Sequence, residues 1–296
     1  MQLALENVDV CPICGNTETE QFIDCLDYSV SKEHFHLVRC KNCTFTFTNP
    51  RPDEAHISKY YQSPEYISHS DTSKGLINKV YHLVRQKTLA DKLKLINNIH
   101  LKGKLLDIGC GTGAFLEICK KNGWKVKGTE PDNGARHIAQ KKIENIIEAD
   151  ILQAYENEKF DVITMWHVLE HIHILHATIE KIYRLLSNTG KLIIAVPNIN
   201  SYDAKYFKEY WAAYDTPRHL YHFNQRTLEL LMNKHGIKLD MIVPMKYDAY
   251  YISLISTKNK YNKINFVEGI TQGLKSNSWA QKNGNNYSSL TYIFSK

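Results

Sequence analysis

The sequence predicts an α/β protein in which a mostly parallel sheet carries helices on both faces, preceded by a small cysteine-paired module. Two observations carry this. From Lys104 onward, short apolar runs alternate with segments of helical period, the rhythm of consecutive βαβ units. Ahead of residue 50, two Cys-x-x-Cys pairs, Cys11/Cys14 and Cys40/Cys43, mark a separate unit. At 296 residues the chain is long enough to bury a full core and still leave room for such a unit.

Taken in order, residues 1–50 read as a ribbon with knuckles at Cys11-Pro12-Ile13-Cys14-Gly15 and Cys40-Lys41-Asn42-Cys43. Strand-like residues, His36–Arg39 and Phe45–Phe47, flank the second knuckle. Asn49-Pro50-Arg51-Pro52 breaks the chain and marks a boundary. Residues 51–100 form a helical linker or lid region: 53–75 are polar and tyrosine-rich without a period. Leu76–Ile99 then repeats apolar residues at helical spacing and is expected to form one or two helices. Its basic residues Arg85, Lys87 and Lys92 fit a solvated face.

Residues 101–296 make up the main domain. Strands are expected at Lys104–Ile108, Lys125–Thr129, Ile146–Glu148, Asp161–Met165 and Lys191–Val196, with helices at Ala114–Asn122, Gly134–Lys142 and His176–Leu186. A lid insertion is expected near 198–224, followed by a helix at Thr227–His235 closed by Gly236. Tyr250–Ser256 and Leu290–Ser295 are read as a C-terminal strand pair. The polar insertion between them is partly helical near Phe266–Gln272.

Composition excludes several classes. Hydrophobic residues make up 43% and charged residues 23%, as in a globular protein. No run approaches the ~18–20 apolar residues of a membrane span, and the N-terminus lacks the build of a signal peptide. No membrane partner and a cytoplasmic location are therefore expected. A formal charge of +6 is too mild to imply nucleic acid. Oligomeric state is left open.

Seven cysteines, an odd number, argue against a disulfide framework. Two knuckles of equal spacing fit four thiolates around one structural Zn²⁺, with Cys11, Cys14, Cys40 and Cys43 as ligands. His34 or His36 as substitute ligands, and a redox dithiol, are the alternatives.

The strongest chemical signal is Leu105-Leu106-Asp107-Ile108-Gly109-Cys110-Gly111-Thr112-Gly113, placed where a strand turns into a helix. Glycines there let the backbone bend and let a ligand approach without meeting a Cβ. Glu130 ends the next strand, 17 residues after Gly113, and an acid at that place accepts hydrogen bonds from ribose hydroxyls. Asp150 follows the third strand; a turn role is its alternative. Cys110 is read as a small filler. A dinucleotide site on the same fold is the competing reading.

Asp-x-Gly-x-Gly-x-Gly resembles motif I of class I S-adenosylmethionine (SAM)-dependent methyltransferases. The likeness extends over residues 100–240 and implies a Rossmann-like, seven-stranded methyltransferase sheet. It further implies a cofactor site for SAM built from Asp107, Gly109, Gly111, Gly113, Glu130, Asp150, Trp166 and His167. Val168-Leu169-Glu170-His171 resembles the turn after the family's fourth strand. An Asn/Asp-Pro-Pro-aromatic stretch, usual there in enzymes acting on exocyclic amines, is missing. His167 and His171, four apart, are expected in positioning or structural roles, with metal binding as the alternative.

The lid carries Trp211-Ala212-Ala213-Tyr214-Asp215-Thr216-Pro217-Arg218-His219-Leu220-Tyr221-His222-Phe223. Aromatics at the ligand edge of a sheet wall off water while a few polar groups orient an acceptor; an aromatic lid packed on the core is the blander reading. A ribbon joined to such a domain is similar in layout to sugar-nucleotide C-methyltransferases. They carry a Glu-His pair where this chain has Arg218-His219. The resemblance implies His219 as general base, with His222 and His171 as rivals, and Tyr214, Arg218 and Tyr221 as acceptor contacts. The expected activity is O- or C-methylation of a small molecule. An enzyme acting on RNA or protein through the ribbon, and a non-catalytic SAM-binding protein, are the alternatives.

Overall fold

The computed structural model describes residues 5–62, 76–143 and 147–296. The N-terminal part contains β1 (Leu5–Glu6), β2 (Thr19–Leu26), β3 (His34–Cys40), β4 (Thr46–Thr48) and β5 (Arg51–Pro52), then a 3-10 turn at Ile57–Tyr61. A single helix, α1 (Leu76–Ile99), leads into the main domain. Residues 63–75, part of the stretch without a period, lie outside the described residues, as does Ile146.

The main domain runs β6 (Lys104–Ile108), α2 (Ala114–Lys121), β7 (Lys125–Thr129), α3 (Asn133–Gln140), β8 (Ile147–Glu148), β9 (Phe160–Trp166), α4 (Leu175–Leu185) and β10 (Leu186–Pro197). The lid holds α5 (Tyr202–Phe207), two 3-10 turns (Lys208–Tyr210 and Ala212–Tyr214) and β11 (Tyr221–His222). The chain ends with α6 (Gln225–Lys234), β12 (Lys238–Pro244), α7 (Asp248–Tyr261), α8 (Phe266–Lys282) and β13 (Ser289–Ser295).

Seven strands form one sheet in the order β12-β13-β10-β9-β6-β7-β8. β13 runs antiparallel between β10 and β12, while β6, β7, β8, β9 and β10 pair in parallel. Strand order reverses between β6 and β9, so the crevice at their carboxyl ends is the place where an open α/β sheet holds its ligand. Central strands are buried on both faces, as the runs Leu105, Leu106, Ile108 and Leu192–Val196 anticipate. Local signals set the helix ends: the Asp132 side chain caps α3 by accepting from Ala135 N at 2.7 Å, and a capping box of Asn224 with Thr227 starts α6.

Two expectations are corrected. Tyr250–Ser256 lies within helix α7 and is not a strand. Ala249, Ile252, Ser253, Ser256 and Thr257, the buried residues of α7, recur at helical spacing. The helix packs on α8, where Gly269 and Gly273 admit its backbone at Leu254 and Tyr250: a Cβ on Gly273 would stand 2.9 Å from Tyr250 Cα. The helical stretch at Phe266–Gln272 in fact continues to Lys282. The C-terminal strand pair is therefore β12 with β13. β12 was unforeseen: it is an edge strand whose residues are all exposed or half-buried, and its short apolar run Met241-Ile242-Val243 was passed over.

The ribbon is sewn into the main domain. β11 of the lid pairs with β4, placing Tyr221 opposite Phe47 and His222 opposite Thr46. The result is a four-stranded sheet, β11-β4-β3-β2. Cys11, Ile13, Phe45 and Phe47 share one hydrophobic core with Met165, Ile194 and Leu228. Below them, His176 Nε2 meets the Pro12 carbonyl oxygen at 2.6 Å.

Candidate active site

The glycine turn between β6 and α2 is built for close approach. Gly109, Gly111 and Gly113 hold φ of 68°, 54° and 74°, the left-handed region that favours glycine. A Cβ on Gly109 would strike Val168 at 2.6 Å, and one on Gly113 would press on Ala139 at 3.1 Å. At Gly111 a Cβ would meet nothing within 4 Å, so this residue faces open space. Gly111 N donates to Glu130 Oε2 at 2.8 Å, and Asp132 N donates to Glu130 Oε1 at 2.9 Å. Burial raises the Glu130 carboxyl above its ordinary range, against these two backbone donors. Each oxygen retains a lone pair for a further donor.

Asp107, one residue before the end of β6, is almost fully buried and accepts from Thr164 Oγ1 at 2.6 Å. Burial pushes its carboxyl up to about 7, against the Thr164 hydroxyl and the Lys92 ammonium. Trp166 closes β9 with its ring edge-on to Phe115 at 5.5 Å and the Lys92 ammonium 4.3 Å from its centroid. Its buried Nε1 has no acceptor among the described residues. A glycine cradle, an acid with spare lone pairs and an orphaned indole N–H fit an adenosyl group with a cationic methionine end. Asp150 is exposed and accepts from Leu152 N at 2.9 Å, the geometry of a turn residue.

Beside this edge lies a cavity of 630 Å³, whose lining includes Tyr28, His171, Tyr214, His219 and Tyr251. Cys25, Leu26, Tyr28 and Ser29 bring the ribbon into its wall, and Arg85 and Thr88 bring α1. His167 also lines it, at a φ of 56° that is unusual for a side chain of its size. Its Nδ1 stands 3.4 Å from Glu170 Oε1 and its Nε2 3.2 Å from Asp248 Oδ2. Burial works against the charged ring, but the two carboxylates prevail and raise it to about 9.

The lid residues separate into two groups. Tyr214 and His219 line the cavity. His219 Nδ1 donates to the Ala213 carbonyl at 2.9 Å, which leaves Nε2 with the lone pair. His171 lines the same cavity, and burial together with the neighbouring His219 lowers it to about 4. His222 and Tyr221 are not in the lining. His222 Nε2 donates to Thr48 Oγ1 at 3.2 Å, and burial holds the ring neutral. Tyr221 stacks on Phe45 at 5.9 Å while its hydroxyl accepts from Arg51 Nη1 at 3.0 Å.

Arg218 touches the cavity, but its guanidinium is turned into protein. It donates through Nε to both Asp215 oxygens at 3.0 Å, through Nη1 to the Tyr60 carbonyl at 2.9 Å, and through Nη2 to Asp27 Oδ1 at 3.0 Å. Its side chain is 1% exposed and Asp27 is fully buried. This network ties lid to ribbon and is no place for an acidic acceptor group. Glu170, Asp215 and Asp248 are the site residues that motif reading passed over. Glu170 stood in the quoted Val168–His171 turn, but only the fold brings it to the lid.

The four ribbon cysteines converge. Cys11 and Cys43 Sγ are 3.5 Å apart, as are Cys14 and Cys40 Sγ, and all four sulfurs lie within 4.8 Å of one another. These separations are far beyond an S–S bond of ~2.0 Å and close to the edge of a thiolate tetrahedron with ~2.3 Å metal–sulfur bonds. Backbone N–H bonds close both knuckles, Gly15 N to Cys11 O at 2.9 Å and Thr44 N to Cys40 O at 3.0 Å.

Sheet order, glycine turn and the Glu130 acid together define a Rossmann-like methyltransferase of class I. Residues 81–241 match the family described as Methyltransferase domain, more than half of the chain, and the chain belongs to that family. A ubiquinone biosynthesis O-methyltransferase from Glaesserella parasuis is 33% identical over 132 residues, 40% of this chain and 56% of the relative. The U6 snRNA methylphosphate capping enzyme Amus of Drosophila melanogaster is 28% identical over 160 residues, 44% and 51% of the two chains. The chain thus spans about half the length of these curated relatives. Among solved structures, magnesium protoporphyrin IX methyltransferase from Synechocystis, with bound SAH, superposes with a TM-score of 0.53 at 15% identity, covering 82% of this chain and 99% of its own. At that identity it shares the fold. No helix among the described residues is long and apolar enough to cross a membrane.

Proposed function

We propose that this protein transfers a methyl group from SAM to an oxygen or acidic carbon of a small molecule held in the 630 Å³ cavity. The observation that carries this reading is adjacency: Trp166 beside the glycine turn and His167 on the cavity wall are consecutive at the end of β9. SAM, when bound, supplies an activated methyl group on a sulfonium. The Gly109–Gly113 backbone and Asp107 would hold its methionine end, Glu130 its ribose hydroxyls, and Trp166 and His167 its edge toward the cavity. Lid and ribbon exclude water and align the acceptor, the larger part of the catalytic effect.

Proton removal falls to the imidazoles on the cavity wall, with His219 first, because its Nδ1 is occupied by a carbonyl and its Nε2 is not. Acid–base help of this kind typically adds ~10²- to 10⁴-fold. His222, bonded to Thr48 outside the cavity lining, is set aside as the base. Tyr214 remains an acceptor contact, while Tyr221 and Arg218 become structural. The name of the Glaesserella relative favours oxygen as the acceptor atom. The ribbon cysteines would hold one structural zinc ion. A ribbon that walls the cavity with the end of β2 and the turn after it favours a small acceptor over one docked on the ribbon.

Incubating the enzyme with cell extract and isotopically labelled SAM, followed by mass spectrometry, tests the reading. Label in a small molecule supports it; label confined to RNA or protein, or no turnover to S-adenosylhomocysteine, rejects it. For the cofactor, Glu130→Ala removes charge-assisted hydrogen bonds worth roughly 1.5–3 kcal/mol. SAM affinity measured by calorimetry should fall roughly tenfold to a hundredfold.

A further inference from the structure

We infer that Glu170, His171 and His219 form a divalent-cation site on the acceptor cavity, taking an ion of the Mn²⁺, Co²⁺ or Zn²⁺ type. A ring nitrogen from each imidazole and a Glu170 oxygen lie within 4.8 Å of one another. The separations suit ligands of one ion rather than a directly bonded set: His219 Nε2 stands 4.0 Å from Glu170 Oε1, beyond hydrogen-bond length.

Three features go beyond proximity. Glu170 is fully buried, and its close polar neighbour is His167 Nδ1, 3.4 Å from Oε1; neither oxygen meets hydrogen-bond geometry with any described residue. A buried carboxylate so sparsely satisfied is costly, and such groups ordinarily gain further donors or a metal. Second, both imidazoles are oriented as metal ligands are. His219 Nδ1 faces the Ala213 carbonyl at 2.9 Å, and His171 Nδ1 faces the Arg218 carbonyl at 3.0 Å, with the Tyr61 hydroxyl also at 3.0 Å. An outer hydrogen bond of this kind fixes the tautomer and presents the other nitrogen as a lone pair. Third, the set of two imidazoles and one carboxylate leaves coordination positions open, and His171 and His219 face the cavity where an acceptor oxygen would enter.

The inference rests on the cavity being the acceptor site and deepens that reading. A bound cation acidifies a coordinated hydroxyl, so the cluster remains the deprotonating centre while His219 acts as a ligand. It also selects the acceptor: a hydroxyl, and best a pair of neighbouring oxygens able to fill two open positions.

Co²⁺ is the probe. Full-length protein with its ribbon metal retained is equilibrated with Co²⁺, and bound cobalt is counted by elemental analysis and visible absorption. One cobalt per chain without thiolate-to-metal charge-transfer bands is expected. Glu170→Gln and His219→Ala should each weaken its binding at least tenfold while the ribbon metal and melting temperature stay unchanged; if Glu170→Gln does not fold, His219→Ala decides. Wild-type protein that takes up no such cobalt, or a folded His219→Ala variant that binds it as tightly as wild type, overturns the site. SAM calorimetry on the same samples keeps the readings apart. Cobalt uptake without SAM binding would defeat the proposed function alone, and SAM binding without cobalt uptake the metal site alone.

Discussion

Arg218 shows how one side chain changes meaning between sequence and structure. A cation next to a candidate base invites an acidic acceptor, yet the donors named above are spent on Asp215, Asp27 and Tyr60. Removing one member of a buried charged set strands the others and costs about 3–5 kcal/mol. Arg218→Ala should lose that much stability in denaturant unfolding, and Arg218→Lys, unable to reproduce the fork, should recover little. A variant of wild-type stability would return Arg218 to substrate binding. Asp107 carries the opposite sign. Burial raises its carboxyl to about 7 in the fold, from about 3.9 in an unfolded chain. Folding therefore favours the protonated acid, and the stability of the SAM-free enzyme should decline from pH 4 to pH 7 through this group, then level off. Asp107→Asn should flatten that decline in thermal melts between pH 5 and 8. An unchanged slope would assign the pH dependence to other groups.

At the scale of elements, legibility followed burial. β6 and β10 were readable because strands covered on both faces carry apolar runs, β7 (Lys125-Val126-Lys127-Gly128-Thr129) only from its place in the βαβ rhythm, and the glycine turn because its chemistry is local. β12 went unassigned as a half-exposed edge strand, although Leu239, Met241, Ile242 and Val243 are apolar. α7 was misread because Tyr250–Ser256 combines aromatic and β-branched residues, while its small buried side chains Ala249, Ser253 and Ser256 carry little hydrophobic signal. The candidate site was legible only in part: His219 and Tyr214 were singled out and line the cavity, but Glu170 meets His219 across 49 residues and Asp27 meets Arg218 across 191. No local pattern encodes such meetings. The helix pair makes its own prediction. In Gly273→Ala the new Cβ would sit 2.8 Å from the Tyr250 ring and 2.9 Å from its Cα, an overpacking expected to cost ~1–3 kcal/mol. Thermal unfolding should register this, and an unshifted melting curve would mean that α7 and α8 readily move apart.

Across the whole molecule, the ribbon is a wall of the 630 Å³ cavity as well as an N-terminal module. Its knuckles share a core with the main domain, its second strand lines the cavity, and its β4 carries a lid strand. Stripping metal from Cys11, Cys14, Cys40 and Cys43 should therefore lower the melting temperature of the entire protein and weaken acceptor turnover, since metal binding at such sites is coupled to folding. Elemental analysis should find one zinc in the ribbon of untagged protein. Folded, active protein with a vacant ribbon, or chelation that leaves the melting curve unchanged, would sever that link.

The pairing of β4 with β11 also bears on how the chain is made. Thr46–Thr48 leaves the ribbon sheet with an open edge that Tyr221–His222 closes, about 170 residues later in the sequence. During synthesis at ~5–20 residues per second, that edge waits on the order of 10 to 30 s for its partner. An unpaired edge is a template for foreign strands. The nascent chain is thus most vulnerable to misassembly while the residues between Thr48 and Tyr221 are being synthesised.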